Sequence, residues 1–140
     1  MVKGLILTHG DLGRALLNTT QKIIGELSGV KVLSNEQISM KDLVLNLDTA
    51  VKDLGENEEI LVFVDFFGGS CWHAAQMVKK NRQNIVLLSG VNLPIMLAFF
   101  SKRNSYRLAE LAEYLKESSY KATIIVADSE ENTGSEDDEG

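Results

Sequence analysis

Ile60-Leu61-Val62-Phe63-Val64-Asp65-Phe66-Phe67-Gly68-Gly69-Ser70 is the stretch whose reading decides the fold. Five apolar residues run without a polar break and stop at an aspartate, two aromatics and a double glycine. A continuous apolar run of this length is the pattern of a strand covered on both faces, as in a parallel sheet between helices. The same pattern recurs at Leu5-Ile6-Leu7, Ile85-Val86-Leu87-Leu88 and Ile124-Ile125-Val126, and more weakly at Val30-Lys31-Val32-Leu33, which suits an edge.

Helical periodicities lie between these runs. Leu12, Ala15, Leu16, Thr19 and Ile23 share one face of a helix from about Asp11 to Glu26. Met40, Leu43, Val44, Leu47, Val51 and Leu54 define a second, with Ser39 and Asp42 spaced as an approximate capping box. A shorter helix is expected from Ser70 to about Lys80, and Leu108, Leu111, Ala112 and Leu115 mark another with Ser105 as its N-cap. Strands alternating with such helices imply right-handed crossovers. The expected class is α/β: an open, doubly wound, mostly parallel sheet with helices on both faces.

The chain has 140 residues and a 44% hydrophobic fraction, enough for one compact domain with its own core. No apolar run approaches the roughly 18 residues that span a bilayer, and the N-terminus has no secretory pattern. One cysteine excludes an internal disulfide framework, and with two histidines it falls short of a four-ligand structural zinc site. A reduced, cytoplasmic setting fits. Seven of the 20 acidic residues fall in residues 128–140, which hold no basic one, so the net charge of −6 belongs to the tail. The expected division is a folded domain over residues 1–127 and a disordered acidic tail over residues 128–140. A near-neutral domain without Lys/Arg blocks disfavours nucleic acid and membrane surfaces as partners.

Open sheets of this class bind ligands at the carboxyl ends of their strands, near a switch in strand order. Three polar, glycine-containing turns fall there: Thr8-His9-Gly10-Asp11, Asp65 to Ser70, and Ser89-Gly90-Val91-Asn92-Leu93-Pro94. Neutral imidazole is a nucleophile near pH 7, its ordinary pKa being about 6.5. A carboxylate that accepts from one ring nitrogen leaves the other with its lone pair aimed at an electrophile. Asp65 is the natural orienting carboxylate for His9. Gly68-Gly69-Ser70 at a helix start resembles an anion-binding nest with an added hydroxyl. These parts describe phosphoryl transfer through a phosphohistidine, and equally a site that binds phosphate or a nucleotide without reacting. Spacing does not separate the two.

Leu7-Thr8-His9-Gly10 with Leu12 and Ala15-Leu16, Asp65 with Gly68-Gly69-Ser70, and Gly90-Val91-Asn92-Leu93-Pro94 resemble the three signature segments of the mannose-family enzyme IIA domain. That family belongs to the bacterial phosphoenolpyruvate-dependent sugar phosphotransferase system, and the resemblance spans about residues 1–127. It implies that His9 accepts a phosphoryl group from the phosphocarrier HPr and passes it to a IIB protein or domain, with the membrane permease served only indirectly. Asp65 would sit beside the histidine. Thr8, Gly68, Gly69 and Ser70 would hold the phosphate, with no cofactor and no metal. The resemblance further implies a homodimer and an antiparallel edge strand from residues 121–127, made within the chain or exchanged between subunits.

The family loop usually continues Gly-Gly-Ser-Pro-x-Asn, whereas this chain has Gly68-Gly69-Ser70-Cys71-Trp72-His73. Losing a first-turn proline removes some preorganisation. His73 is read as a partly exposed first-turn residue and Cys71 as a packed small hydrophobe. Phe66, Phe67, Trp72, His73, Asn92 and Leu93 are expected on the rim that meets partners. The variant loop also fits a regulatory module whose phosphorylation state a partner senses, without sugar transport.

Overall fold

A computed structural model describes residues 1–128. Four strands, β1 (Lys3–Thr8), β2 (Val30–Ser34), β3 (Ile60–Val64) and β4 (Ile85–Ser89), form one all-parallel sheet in the order β2-β1-β3-β4. Five helices accompany it: α1 (Leu12–Ile24), α2 (Met40–Leu54), α3 (Ser70–Lys79), α4 (Leu93–Lys102) and α5 (Leu108–Ala122). Alternate strand residues feed two cores. Leu5, Leu7, Ile60, Val62 and Val64 pack with Leu43, Leu47 and Val51 of α2 and Cys71, Ala74 and Ala75 of α3. Ile6, Leu61 and Phe63 point the other way, onto Met96 and Phe99 of α4 and Leu111 and Leu115 of α5. The doubly wound reading therefore holds, with β2 on an edge.

Helix starts follow local chemistry. The Ser39 hydroxyl accepts the Asp42 N–H at 3.1 Å, the capping expected for α2. For α5 the N-cap is Arg107 rather than Ser105, because the Glu59 carboxylate bonds both the Arg107 guanidinium at 3.1 Å and the Leu108 N–H at 3.4 Å. α1 is turned relative to its apolar pattern: Leu12 and Ile23 are exposed, and Gly13 and Thr20 face the sheet with Leu16 and Leu17. A Cβ on Gly13 would lie only 3.0 Å from Ile6 Cγ2 and 3.1 Å from Thr8 Oγ1, so this glycine lets the helix sit against β1.

The expected C-terminal antiparallel strand is not formed within the described chain. α5 continues to Ala122, residues 123–126 have no regular structure, and Ile124, Ile125 and Val126 are exposed. No described strand pairs with the outer edge of β4, so these apolar residues gain no ladder within the chain. The acidic tail beyond Asp128 lies outside the described residues. Among the described residues no helix is long and apolar enough to cross a membrane.

Candidate functional site

The sheet order switches between β1 and β3, which are paired with Leu7 opposite Val64. The chain leaving β1 and the chain leaving β3 must therefore emerge side by side, and they deliver His9 and Asp65 to the same crevice. The His9 backbone N–H donates to Asp65 Oδ2 at 2.9 Å, and His9 Nδ1 lies 2.9 Å from the same oxygen. The Phe66 N–H donates to Asp65 Oδ1 at 3.1 Å, so the carboxylate is held at both oxygens.

Asp65 is 10% exposed and the His9 ring 39%. Burial by itself raises the Asp65 carboxyl. The hydrogen bonds from the His9 backbone and ring, with the ring's charge, outweigh burial and hold the carboxyl below its ordinary value. Asp65 is thus an acceptor at neutral pH, and a 2.9 Å contact to Nδ1 requires the proton to sit on Nδ1. The Nε2 lone pair is left for chemistry.

Nε2 faces the turn after β3. Ser70 Oγ lies 3.4 Å from it. The same hydroxyl accepts from Asn35 Nδ2 at 3.2 Å, which leaves its own proton to point at Nε2. Gly68 has φ +96°, the left-handed region that favours glycine, and Gly69 is the N-cap of α3 without a side-chain bond to the helix. The first helical N–H to find a carbonyl is that of His73, on Gly69 at 3.0 Å, so the preceding N–H groups remain for an oxyanion.

Phe66 stacks on the His9 ring with centroids 5.1 Å apart and planes at 24°. Gly69 makes this stack fit. A Cβ there would lie 2.6 Å from Phe66 Cζ and 3.3 Å from His9 Cε1. Gly69→Ala is expected to displace Phe66, tilt His9, and slow any chemistry at Nε2 by on the order of ten- to a hundredfold. Stability should change little, because Phe66 is already exposed and can swing into solvent. Paired rate and thermal-melt measurements check this.

Some expected site residues stand elsewhere. Thr8 is fully buried and its hydroxyl accepts the Gly13 N–H at 2.8 Å, so it anchors α1 and is not in the phosphate cradle. Asn92 caps α4 by accepting the Ile95 N–H at 2.9 Å and donates to Gly90 O and Ser119 Oγ; Leu93 is the first residue of that helix. No hydrogen bond or ring contact joins either to His9 among the described residues. Phe67, 73% exposed, packs on Trp72 with centroids 5.2 Å apart, and His73 is exposed in the first turn of α3. Cys71 is buried in the core, where burial and the nearby Asp65 charge push its thiol up to about 11. The packed reading of Cys71 holds, not that of a reactive thiolate. Asn35 was not among the expected residues. It follows β2 at the same carboxyl end, so the rule that selected the other three turns also points to it.

Comparisons with known proteins agree with the fold. The EIIA-man family model, described as "PTS system fructose IIA component", matches residues 3–116. The "PTS system fructose-specific EIIA component" of Bacillus subtilis (strain 168) is 33% identical over 131 residues, 91% of this chain and 88% of that protein. The "PTS system sorbose-specific EIIA component" of Klebsiella pneumoniae is 25% identical over 125 residues, 89% and 92% of the respective chains. Among solved structures, the "Mannose/sorbose specific IIA subunit of phosphotransferase system from Enterococcus faecalis" gives a TM-score of 0.81 at 25% identity, covering 89% of this chain and 94% of that one.

Proposed function

The chain belongs to the EIIA-man family of sugar phosphotransferase components, and on that premise we propose that His9 Nε2 is its phosphoryl carrier. The group arrives from HPr and leaves to a IIB protein or domain, in the cytoplasm. The observation that carries this reading is the single oxygen of Asp65 that holds both the His9 N–H and Nδ1 at 2.9 Å, leaving Nε2 toward Ser70.

In the transfer step the Nε2 lone pair forms a bond to phosphorus as the donor's bond to phosphorus breaks. The proton stays on Nδ1, held by the Asp65 carboxylate, whose negative charge offsets the positive charge developing on the ring. Free N–H groups of the first turn of α3, with the Ser70 hydroxyl, meet the charge on the phosphoryl oxygens. The group is already activated on the donor, so this step requires no metal or cofactor. Phe66, Phe67 and Trp72 supply apolar surface at the rim for two successive protein partners.

The test is a relay in solution. With phosphoenolpyruvate, enzyme I and HPr the chain should take up acid-labile, base-stable phosphate and discharge it to a IIB protein. The Cys71-Trp72-His73 departure favours one second reading, a regulatory module, which predicts labelling without discharge to any IIB protein. No labelling at all overturns both.

Asn35 acts on this step through Ser70. Asn35→Ala should slow acceptance by about tenfold, less than the 10²–10³ typical of losing an oxyanion donor outright. In a Ser70→Ala background the same change should have no further effect, and a rate measurement on the double variant decides it.

The reading includes a homodimer. Exposed Ile124, Ile125 and Val126 together with the unpaired β4 edge are surfaces that a second copy can cover. Sedimentation equilibrium of the chain with and without residues 123–128 tests it.

A further inference from the structure

Cys71 takes no part in the relay, yet its sulfur lies 3.7 Å from His9 Nδ1. Asp65 Oδ2 is 2.9 Å from the same nitrogen, and the donor atoms of His9, Asp65 and Cys71 all fall within 4.8 Å of one another. Among the described residues no other set of three such donors converges this closely. We propose that the unphosphorylated site binds one divalent transition-metal ion of zinc type between His9 Nδ1, Asp65 Oδ2 and Cys71 Sγ, and that the bound ion shuts the relay off.

Tetrahedral zinc with bonds of about 2.0–2.1 Å to nitrogen and oxygen and about 2.3 Å to sulfur puts nitrogen and oxygen about 3.3 Å apart, and nitrogen and sulfur about 3.6 Å apart. The observed 2.9 Å and 3.7 Å need shifts of only a few tenths of an ångström, and the oxygen and sulfur, within 4.8 Å of each other, must close to about 3.6 Å. The carboxylate is already fixed by the His9 and Phe66 N–H groups, so one ligand is preorganised. Carboxylate, thiolate and neutral imidazole carry two negative charges, which match a divalent ion, and imidazole with thiolate selects zinc over magnesium or calcium. One coordination position remains for water.

The proton balance explains the block. Coordination by the ion displaces the Cys71 thiol proton to solvent, against the burial that keeps the free thiol protonated. The ion replaces the Nδ1 proton, which moves through solvent to Nε2, and the ring stays neutral. One proton is released per ion bound. Nε2 then carries a hydrogen and has no lone pair for phosphorus, so acceptance stops until the metal leaves.

This brake rests on phosphoryl relay through His9; the metal site does not, and the test separates them. Cobalt(II) titrated into the reduced full chain should give one equivalent of a sulfur-to-metal charge-transfer band, displaced by Zn²⁺. Cys71→Ala and His9→Ala should each lose the band and weaken binding by about a hundredfold or more, beyond the effect of outer-shell changes. His73→Asn should keep it. Cys71→Ser, which preserves the buried volume, repeats the measurement if the alanine variant fails to fold. No band, or a band that survives in both Cys71 variants, overturns the site. In the relay assay Zn²⁺ should stop labelling of the wild-type chain in proportion to metal-bound protein, and Cys71→Ala should stay labelled in the same mixture. Equal inhibition of both overturns the brake. If the wild-type chain is never labelled but binds cobalt through Cys71, the relay reading fails and the metal site stands.

Discussion

His9→Ala is expected to abolish phosphate uptake from HPr, with label below detection while the fold is retained. Both halves of that result follow from the position of the ring. The imidazole is partly exposed, and the main link between its residue and β3, the His9 N–H to Asp65, is made by the backbone. Alanine keeps that bond, so the thermal midpoint should move by only a few degrees, as for a change of about 1 kcal/mol in a domain of this size. Chemistry has no such reserve. His73 is the only other imidazole in the chain; it is exposed in the first turn of α3, and no hydrogen bond from its ring to a carboxylate is found among the described residues. A ring without an orienting acceptor has no fixed tautomer at the cradle. His73→Asn should therefore keep near-normal labelling. Label persisting on the His9→Ala chain at the wild-type rate would exclude His9 as the carrier and turn attention to His73.

The strands and the crevice were legible because continuous apolar runs leave few alternatives, and because a strand's carboxyl end is where an open sheet puts its ligands. Asp65 and His9 meet for that reason, although 56 residues of chain separate them. What stayed hidden depends on contacts that a single sequence does not contain. α1 carries two overlapping apolar stripes, and the choice fell to Gly13, whose missing side chain lets that face approach Ile6 and Val32. Thr8 looked like a phosphate ligand next to His9, but alternation along β1 points it inward to the Gly13 N–H. Glu59, before β3, captured the start of α5 from Ser105 across 48 residues. Residues 124–126 have the composition of a strand, and composition does not supply a partner.

Asp65→Asn is expected to lower the rate of phosphoryl acceptance by roughly 10²–10⁴, the upper end being what a mis-set tautomer costs when an amide replaces a histidine's orienting carboxylate. An asparagine whose oxygen keeps the Phe66 N–H at the Oδ1 position places its amide nitrogen where Oδ2 stood, facing Nδ1 and giving up the His9 backbone N–H. That nitrogen donates, and Nδ1 must then accept, which moves the ring proton to Nε2 and removes the attacking lone pair. The ¹⁵N shifts of the His9 ring should report Nδ1 protonated in the wild-type chain and Nε2 protonated in the variant. A rate unchanged by the substitution removes Asp65 from the mechanism. Stability provides a second, independent readout through its sign with pH. The folded carboxyl lies below its unfolded value, near 3.9 for an ordinary aspartate, so its contribution is fully present above that pH and is lost as pH falls through the lower folded value. Asp65→Asn should flatten that segment of the stability profile and leave the neutral-to-alkaline segment parallel to wild type. A merely structural carboxylate would show the same flattening with the ring tautomer unmoved, so it is the nitrogen shifts, measured alongside the rate, that tie Asp65 to the lone pair on Nε2.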